Sequence, residues 1–289
     1  MIPKFATEAR QSYHVIIDAD SYLHRAARKF EGVTGATVQD ALDVVNEEIE
    51  VLLLNLNASS FEAHITGDTS TKRGRFNLPT HKPYQGNRKG KERPALLGPL
   101  KLECAKQMHW YLHEDIEADD AILDSVRSLK RPLSSVVVVS ADKDLCVTPS
   151  CYLDLTTNEM HPHLEAPYIG HIALDDKRKL KGRGSLLFWA QALMGDTADN
   201  IAGLHWHPEL GSVGPVKAYT TLQACVEQYS GESEIYQLAK VVELVLMLYR
   251  EAGQDSWPEL EALYLGGNAG LTLEHMMLGV LYQEDGLND

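Results

Sequence analysis

Cysteine is scarce in this chain, at four of 289 residues, and Cys104, Cys146, Cys151 and Cys225 share no CxxC spacing. A disulfide framework is therefore not expected, and free thiols in a reducing cytoplasm are. Long apolar runs are also missing. The longest, over residues 235–252, is broken by Lys240, Glu243 and Arg250, so it reads as a buried helix rather than a membrane span. No stretch reads as a signal peptide, and no internal repeat or low-complexity tract stands out. The expected setting is cytoplasmic (the host cytoplasm if the source is viral), with no membrane partner.

Basic residues are in deficit, 27 against 41 acidic ones, for a formal net charge of −14. That balance looks wrong for a nucleic-acid partner until the charges are located. From residue 225 onward twelve acids accompany two bases, while the first 224 residues hold 29 acids and 25 bases. Global charge does not exclude a DNA partner, because local patches decide it. One patch spans residues 72–93, where Lys72, Arg73, Arg75, Lys82, Arg88, Lys89, Lys91 and Arg93 stand against Glu92 alone.

Apolar patterning gives alternating strands and helices. His14–Ile17, Phe61–Thr66, Val136–Val139 and Tyr152–Leu155 read as strands. Residues 22–30, 38–54, 101–113 and 117–129 read as helices, and beyond Leu186 helical periodicity dominates. Alternation of this kind predicts an α/β protein with a mostly parallel, twisted sheet and helices on both faces. A domain of residues 10–185 and a helical region of residues 186–289 are the expected division. The length allows a substantial core.

Nine carboxylates fall in five short clusters, each at or just past a strand end or helix start. They are Asp18; Asp68; Glu117, Asp119 and Asp120; Asp142 and Asp144; and Asp196 and Asp199. In parallel sheets, ligands sit at the carboxyl ends of strands, where Asp18, Asp68, Asp142 and Asp144 are expected. Gathering such charges is costly unless cations neutralise them, and paired Mg²⁺ or Mn²⁺ ions acting on a phosphodiester are the commonest reason to do so. Singly, each acid has a bland reading as a cap, a helix-start charge or a surface residue. His109 and His113, four apart on a predicted helix, lack a third zinc ligand and carry no metal assignment.

Six segments then occur in order: Ile17-Asp18-Ala19-Asp20, Gly67-Asp68, Tyr84-Gln85-Gly86-Asn87-Arg88-Lys89, Glu117-Ala118-Asp119-Asp120, Ser140-Ala141-Asp142-Lys143-Asp144, and Gly195-Asp196-Thr197-Ala198-Asp199-Asn200-Ile201-Ala202-Gly203. Together they resemble the 5′-nuclease (flap endonuclease) superfamily, especially the phage 5′–3′ exonucleases and the 5′-nuclease domain of bacterial DNA polymerase I. The resemblance spans roughly residues 14 to 219, and ExADD with GDxxDNIxG is a specific pair.

The resemblance implies a PIN-like, resolvase-like catalytic domain with a helical arch at about residues 70–100, followed by a helix–hairpin–helix DNA-binding motif. It implies a Mg²⁺-dependent phosphodiesterase, with Mn²⁺ a substitute, acting on DNA 5′ ends, flaps and nicks. RNA–DNA hybrid is a further candidate substrate, and a monomer is expected. Glu117, Asp119, Asp120 and Asp142 would surround one ion, with Asp18 and Asp68 acting through waters. Asp144, Asp196 and Asp199 would hold the second.

Arg88 matches the arch arginine expected to clamp the scissile phosphate, with Tyr84 and Lys82 as DNA contacts. Gln85 stands where the family usually has a lysine, and Lys89 or Lys82 could replace it, with Lys89 favoured. Past Gly203 an inserted His205-Trp206-His207-Pro208-Glu209-Leu210 precedes the hairpin, where Gly211, Ser212, Gly214 and Lys217 are expected to grip phosphates and K⁺ is a candidate ligand. The rival readings are a PIN-type ribonuclease and a structure-specific DNA-binding protein without catalysis. The compact length, with no polymerase domain, suggests a stand-alone replication or recombination nuclease.

Overall fold

The computed structural model describes residues 12–253 together with Pro258 and Leu260. Helical structure expected between there and residue 289 lies outside the described residues. The chain forms two compact units, one running up to Arg73 and resuming over Gly90–His163, the other made of Gly74–Lys89 and the chain from Leu164.

The first unit is built on a six-stranded sheet. Its strands are β1 (Tyr13–Asp18), β2 (Ala58–Thr66), β3 (Trp110–His113), β4 (Val136–Ser140), β5 (Cys151–Asp154) and β6 (Glu159–His161). Their order is β3-β2-β1-β4-β5-β6, parallel from β3 to β5 with β6 antiparallel at the edge. Central strands of a parallel sheet are covered on both faces, so they need apolar side chains pointing both ways. Val136 to Val139 meet that need and are all fully buried, each contributing about 2 kcal/mol of transfer free energy.

One face carries α1 (Asp20–Lys29), α2 (Val38–Asn55) and α3 (Leu97–Cys104). Val15, Ile17, Ala63, Ile65, Val137 and Val139 meet Leu23, Val45, Ile49 and Leu100 there. Helix α2 starts where Thr37 and Asp40 cap each other reciprocally, with Thr37 N–H donating to Asp40 Oδ2 at 2.7 Å. The other face carries α4 (Ala118–Ser128) over a polar layer. Within that layer His14 Nδ1 bonds Ser60 Oγ at 2.8 Å, His64 Nδ1 bonds His113 Nε2 at 2.9 Å, and Ser125 of α4 donates to Glu62. Burial pushes the Glu62 carboxyl up, but hydrogen bonds from His14, His64 and Ser125 together outweigh it and hold the acid well below the usual carboxylate range. Burial, with His64 beside it, pushes His113 down to about 4, although Glu62 pulls the other way.

The helix expected over residues 101–113 is corrected by the structure. Helix α3 ends at Cys104, His109 takes φ +69°, and Trp110–His113 is strand β3. His109 and His113 therefore do not share a helix face.

In the second unit a hairpin of β7 (His171–Leu174) and β8 (Leu180–Arg183) leads into α5 (Gly184–Met194), followed by α6 (Pro215–Gln228) and α7 (Glu234–Ala252). Ten of the eleven residues of α5 are buried, which makes it the central helix of its unit rather than an amphipathic surface one. Tyr249 of α7 donates to the Ala192 carbonyl at 2.6 Å, satisfying a hydroxyl that packing removes from water. The basic segment forms two 3-10 turns, Lys72–Asn77 and Gly86–Arg88, so the implied arch contains no α-helix before α3 begins at Leu97. Among the described residues, no helix is long and apolar enough to cross a membrane.

Candidate metal centre

In the first unit the strand ends deliver carboxylates to one another. Ser140, the last residue of β4, donates its hydroxyl to Asp18 Oδ2 at 2.6 Å and accepts the Asp142 N–H at 2.8 Å. Asp142 in turn caps the turn Lys143–Val147 by accepting the Asp144 N–H at 2.9 Å. The buried Tyr152 hydroxyl of β5 donates toward the main-chain oxygens of Asp142 (2.8 Å) and Ser140 (3.2 Å), fixing the loop from below. Burial first, then the Asp20 charge and more weakly Asp142, push the Asp18 carboxyl up to about 7. Hydrogen bonds from Ser140 and the Asp20 N–H oppose that rise.

Thr66, the last residue of β2, uses all of its polar groups. Its N–H donates to the Asp20 carboxylate (3.2 and 3.3 Å), its hydroxyl accepts the Ala118 N–H (2.9 Å), and its carbonyl accepts Lys101 Nζ (2.7 Å). The Ala118 bond ties the start of α4 to the sheet, and with it Glu117, Asp119 and Asp120. Asp120 accepts the Glu117 N–H at 3.2 Å, and Asp119 accepts the Asp120 N–H at 2.8 Å. These carboxylates satisfy main-chain donors of the first turn, where the helix dipole favours negative charge.

Cations of the same unit hold several of the acids. Lys72 pairs with Glu117, Arg73 with Asp124 (2.6 Å), Lys143 with Asp144 (3.1 Å), and both Lys101 and Arg93 with Asp68 at 3.2 Å. The sequence reading missed Asp20, Thr66 and Lys101 as members of this cluster. Asp20 was legible, two residues past Asp18 on a helix start, whereas nothing in the pattern of Leu97–Cys104 marks Lys101.

The second unit places Asp196 and Asp199 in a tight loop after α5. Asp196 and Ile201 exchange main-chain hydrogen bonds at 2.9 and 2.7 Å, and Asp196 Oδ1 accepts the Ala198 N–H at 2.7 Å. Gly195 ends α5 at φ +76°, and a Cβ there would collide with the Ile201 carbonyl, so only glycine serves.

Segment 83–88 docks on this loop. Asp199 accepts Arg88 at 2.5 Å, Gln85 Nε2 at 2.9 Å and the Tyr84 hydroxyl at 3.2 Å, while Asn87 donates to the Thr197 carbonyl at 2.9 Å. Tyr84 and Gln85 are buried, whereas Lys82, Arg88 and Lys89 are exposed.

At the hairpin, buried His207 organises the inserted residues. Its Nδ1 accepts the N–H of Glu209 (3.2 Å) and of Leu210 (3.3 Å), and its main chain exchanges hydrogen bonds with Gly211. Lys217 donates to the carbonyls of Leu210 and Ser212, and Gly214 precedes α6 with Pro215 at the first helical position.

The donor set of the first unit is carboxylate oxygen throughout, which suits hard cations such as Mg²⁺ and Mn²⁺. Burial, and after it the charges of Asp20 and Asp142, raise the Asp18 carboxyl, and a cation beside it would favour the carboxylate. The residues present therefore fit the ions the sequence implies.

No protein-family model matches the chain. DNA polymerase I of Chloroflexus aurantiacus is 28% identical over 134 residues, 44% of this chain and 14% of the polymerase, so the chain spans a small part of that relative's length. A solved structure of the bacteriophage T5 flap endonuclease, with DNA and metal ions, covers 94% of this chain and 98% of its own at 15% identity, with a TM-score of 0.55. The bacteriophage T5 5′-exonuclease with zinc bound gives a TM-score of 0.52 at 16% identity, covering 94% of this chain and 98% of its own. The chain shares the fold of these T5 nucleases. Within that fold, the acids at the strand ends, at the start of α4 and in the loop after α5 are the residues through which the sequence resemblance runs.

Proposed function

We propose that this chain is a Mg²⁺-dependent nuclease that hydrolyses DNA phosphodiesters near 5′ ends, as a 5′–3′ exonuclease and flap endonuclease. The observation that carries the reading is the joining of Asp18 and Asp142 through Ser140 at the ends of two adjacent parallel strands, with Asp18 strained toward protonation. The T5 proteins of the same fold, one crystallised with DNA and metal ions, support it.

Two ions, when bound, supply an activated water and offset charge on the leaving oxygen. By the resemblance, Glu117, Asp119, Asp120 and Asp142 would hold one ion, with Asp18 and Asp68 behind waters, and Asp144, Asp196 and Asp199 would be the ligands of the other. Arg88, exchanged from its carboxylate partner to the scissile phosphate, stabilises developing charge with Lys89 beside it. Lys82, Gly211, Ser212, Gly214 and Lys217 contact the DNA backbone, whereas Tyr84, buried with its hydroxyl on Asp199, steadies that acid.

The test is a cleavage assay on labelled 5′-flap, nicked duplex and RNA–DNA hybrid, with Mg²⁺ or with EDTA. Short 5′-phosphate DNA products that require Mg²⁺ are expected. Cleavage confined to RNA would assign a PIN-type ribonuclease instead, and binding without cleavage would assign a DNA-binding protein.

A further inference from the structure

Lys101 is 8% exposed and sits on α3 between residues that pack into the core, among them Leu100 and Cys104 at 0%. Its Nζ donates to the Thr66 carbonyl at 2.7 Å and to Asp68 Oδ1 at 3.2 Å, and lies 3.6 Å from Asp20 Oδ1. Lysine is rarely buried to this degree unless paired, because taking an ammonium out of water costs several kcal/mol without compensation. Here a main-chain carbonyl and two carboxylates compensate. Arg93, the other partner of Asp68, is by contrast 68% exposed and so contributes a screened, weakly held charge.

We infer that Lys101 is a positioning residue and a resident cation of the carboxylate cluster, holding Asp68 and Asp20 at the end of β2 and setting how tightly the cluster takes a divalent ion. The inference rests on the reading of the cluster as a metal centre. The Thr66 carbonyl anchors Nζ independently of the carboxylates, so the positive charge stays in place when an ion arrives. It then repels the ion, which keeps affinity moderate, and it prevents Asp68 and Asp20 from repelling each other when the ion is absent.

A merely structural lysine and a resident cation behave differently on removal. Loss of a structural residue lowers stability equally with and without metal and weakens metal binding. Loss of the resident charge lowers stability most without metal and strengthens metal binding, since one unit of repulsion is gone. The proposed Lys101→Met substitution in the full chain should bind Mn²⁺ about tenfold more tightly by electron paramagnetic resonance titration. Its melting temperature should be below wild type in EDTA and rise more steeply on Mn²⁺ addition. Lys101→Arg, which keeps the charge, should stay within about threefold of wild-type affinity.

Should Lys101→Met fail to fold, Lys101→Gln, which keeps a donor for the Thr66 carbonyl, is expected to bind Mn²⁺ more tightly in the same way. Wild type that binds Mn²⁺ while both neutral variants bind it no more tightly would overturn the role of Lys101 and leave the metal centre standing. Wild type that binds no Mn²⁺ would overturn both.

Discussion

Without a bound cation, Asp18 withdraws stability as the pH rises. Its folded pKa of about 7 lies above the ordinary value of 3.8, because burial and the charges of Asp20 and Asp142 disfavour the carboxylate. Between those values the folded chain keeps a proton that the unfolded chain releases, so the contribution of Asp18 to stability is greatest below about pH 4 and falls until about pH 7. Asp18→Asn removes the charge and most of that dependence. In EDTA at pH 8 the variant is expected to melt above wild type by the equivalent of about 1 kcal/mol, a gain reduced by the solvent that reaches this part-buried side chain. At pH 4 the difference should vanish. Equal or lower melting at pH 8 would contradict the strained-acid account.

At the same scale, sequence reading succeeded where side-chain type implies chemistry and failed where only position does. Asp142 and Asp144 announce themselves after four valines. Lys101 and Thr66 are ordinary residues on an ordinary helix and strand, and only the fold shows that they meet.

Among elements, the loop after α5 is the most constrained. Gly195 at φ +76° and Gly203 at φ +66° let Asp196 and Ile201 pair across a turn with no room for a side chain. Gly195→Ala should cost roughly 2–4 kcal/mol, since it combines a forbidden φ with a collision against main chain. Thermal unfolding checks this, and a loss under 1 kcal/mol would sink the claim that this turn requires glycine.

The same scale explains which elements were legible. Strand β4 and helix α2 carry unambiguous periods, apolar on both faces in one and at three- and four-residue spacing in the other. Trp110-Tyr111-Leu112-His113 is a short apolar run following a helical stretch, and such runs fit either period until a breaker is located. The breaker is the left-handed backbone at His109, a residue type that does not advertise one. Strands β7 and β8 were missed for a related reason. Each has four residues, and β8 carries Lys181 and Arg183.

For the whole molecule, charge and topology have to be read together. A net charge of −14 argues against DNA only if it is spread evenly, and it is not, since residues 225–289 hold twelve of the 41 acids and two of the 27 bases. Topology then gives the strand-end acids their meaning. A parallel order β3-β2-β1-β4-β5 aligns strand carboxyl ends on one side of the sheet, and the acids of β1 and of the turn after β4 follow from it. This fold was legible because the acids come in order at such positions. The second unit's docking of segment 83–88 onto Asp199 was not, because no local pattern predicts a pairing 111 residues apart.

The most direct measurement compares wild type with Asp142→Ala on a 5′-labelled flap in Mg²⁺, after circular dichroism has shown both to be folded. Wild type should release short labelled products in Mg²⁺ and none in EDTA, and the variant should release none in either. Cleavage by Asp142→Ala at the wild-type rate, or cleavage by wild type in EDTA, would contradict the assignment of these strand-end acids to divalent-ion chemistry.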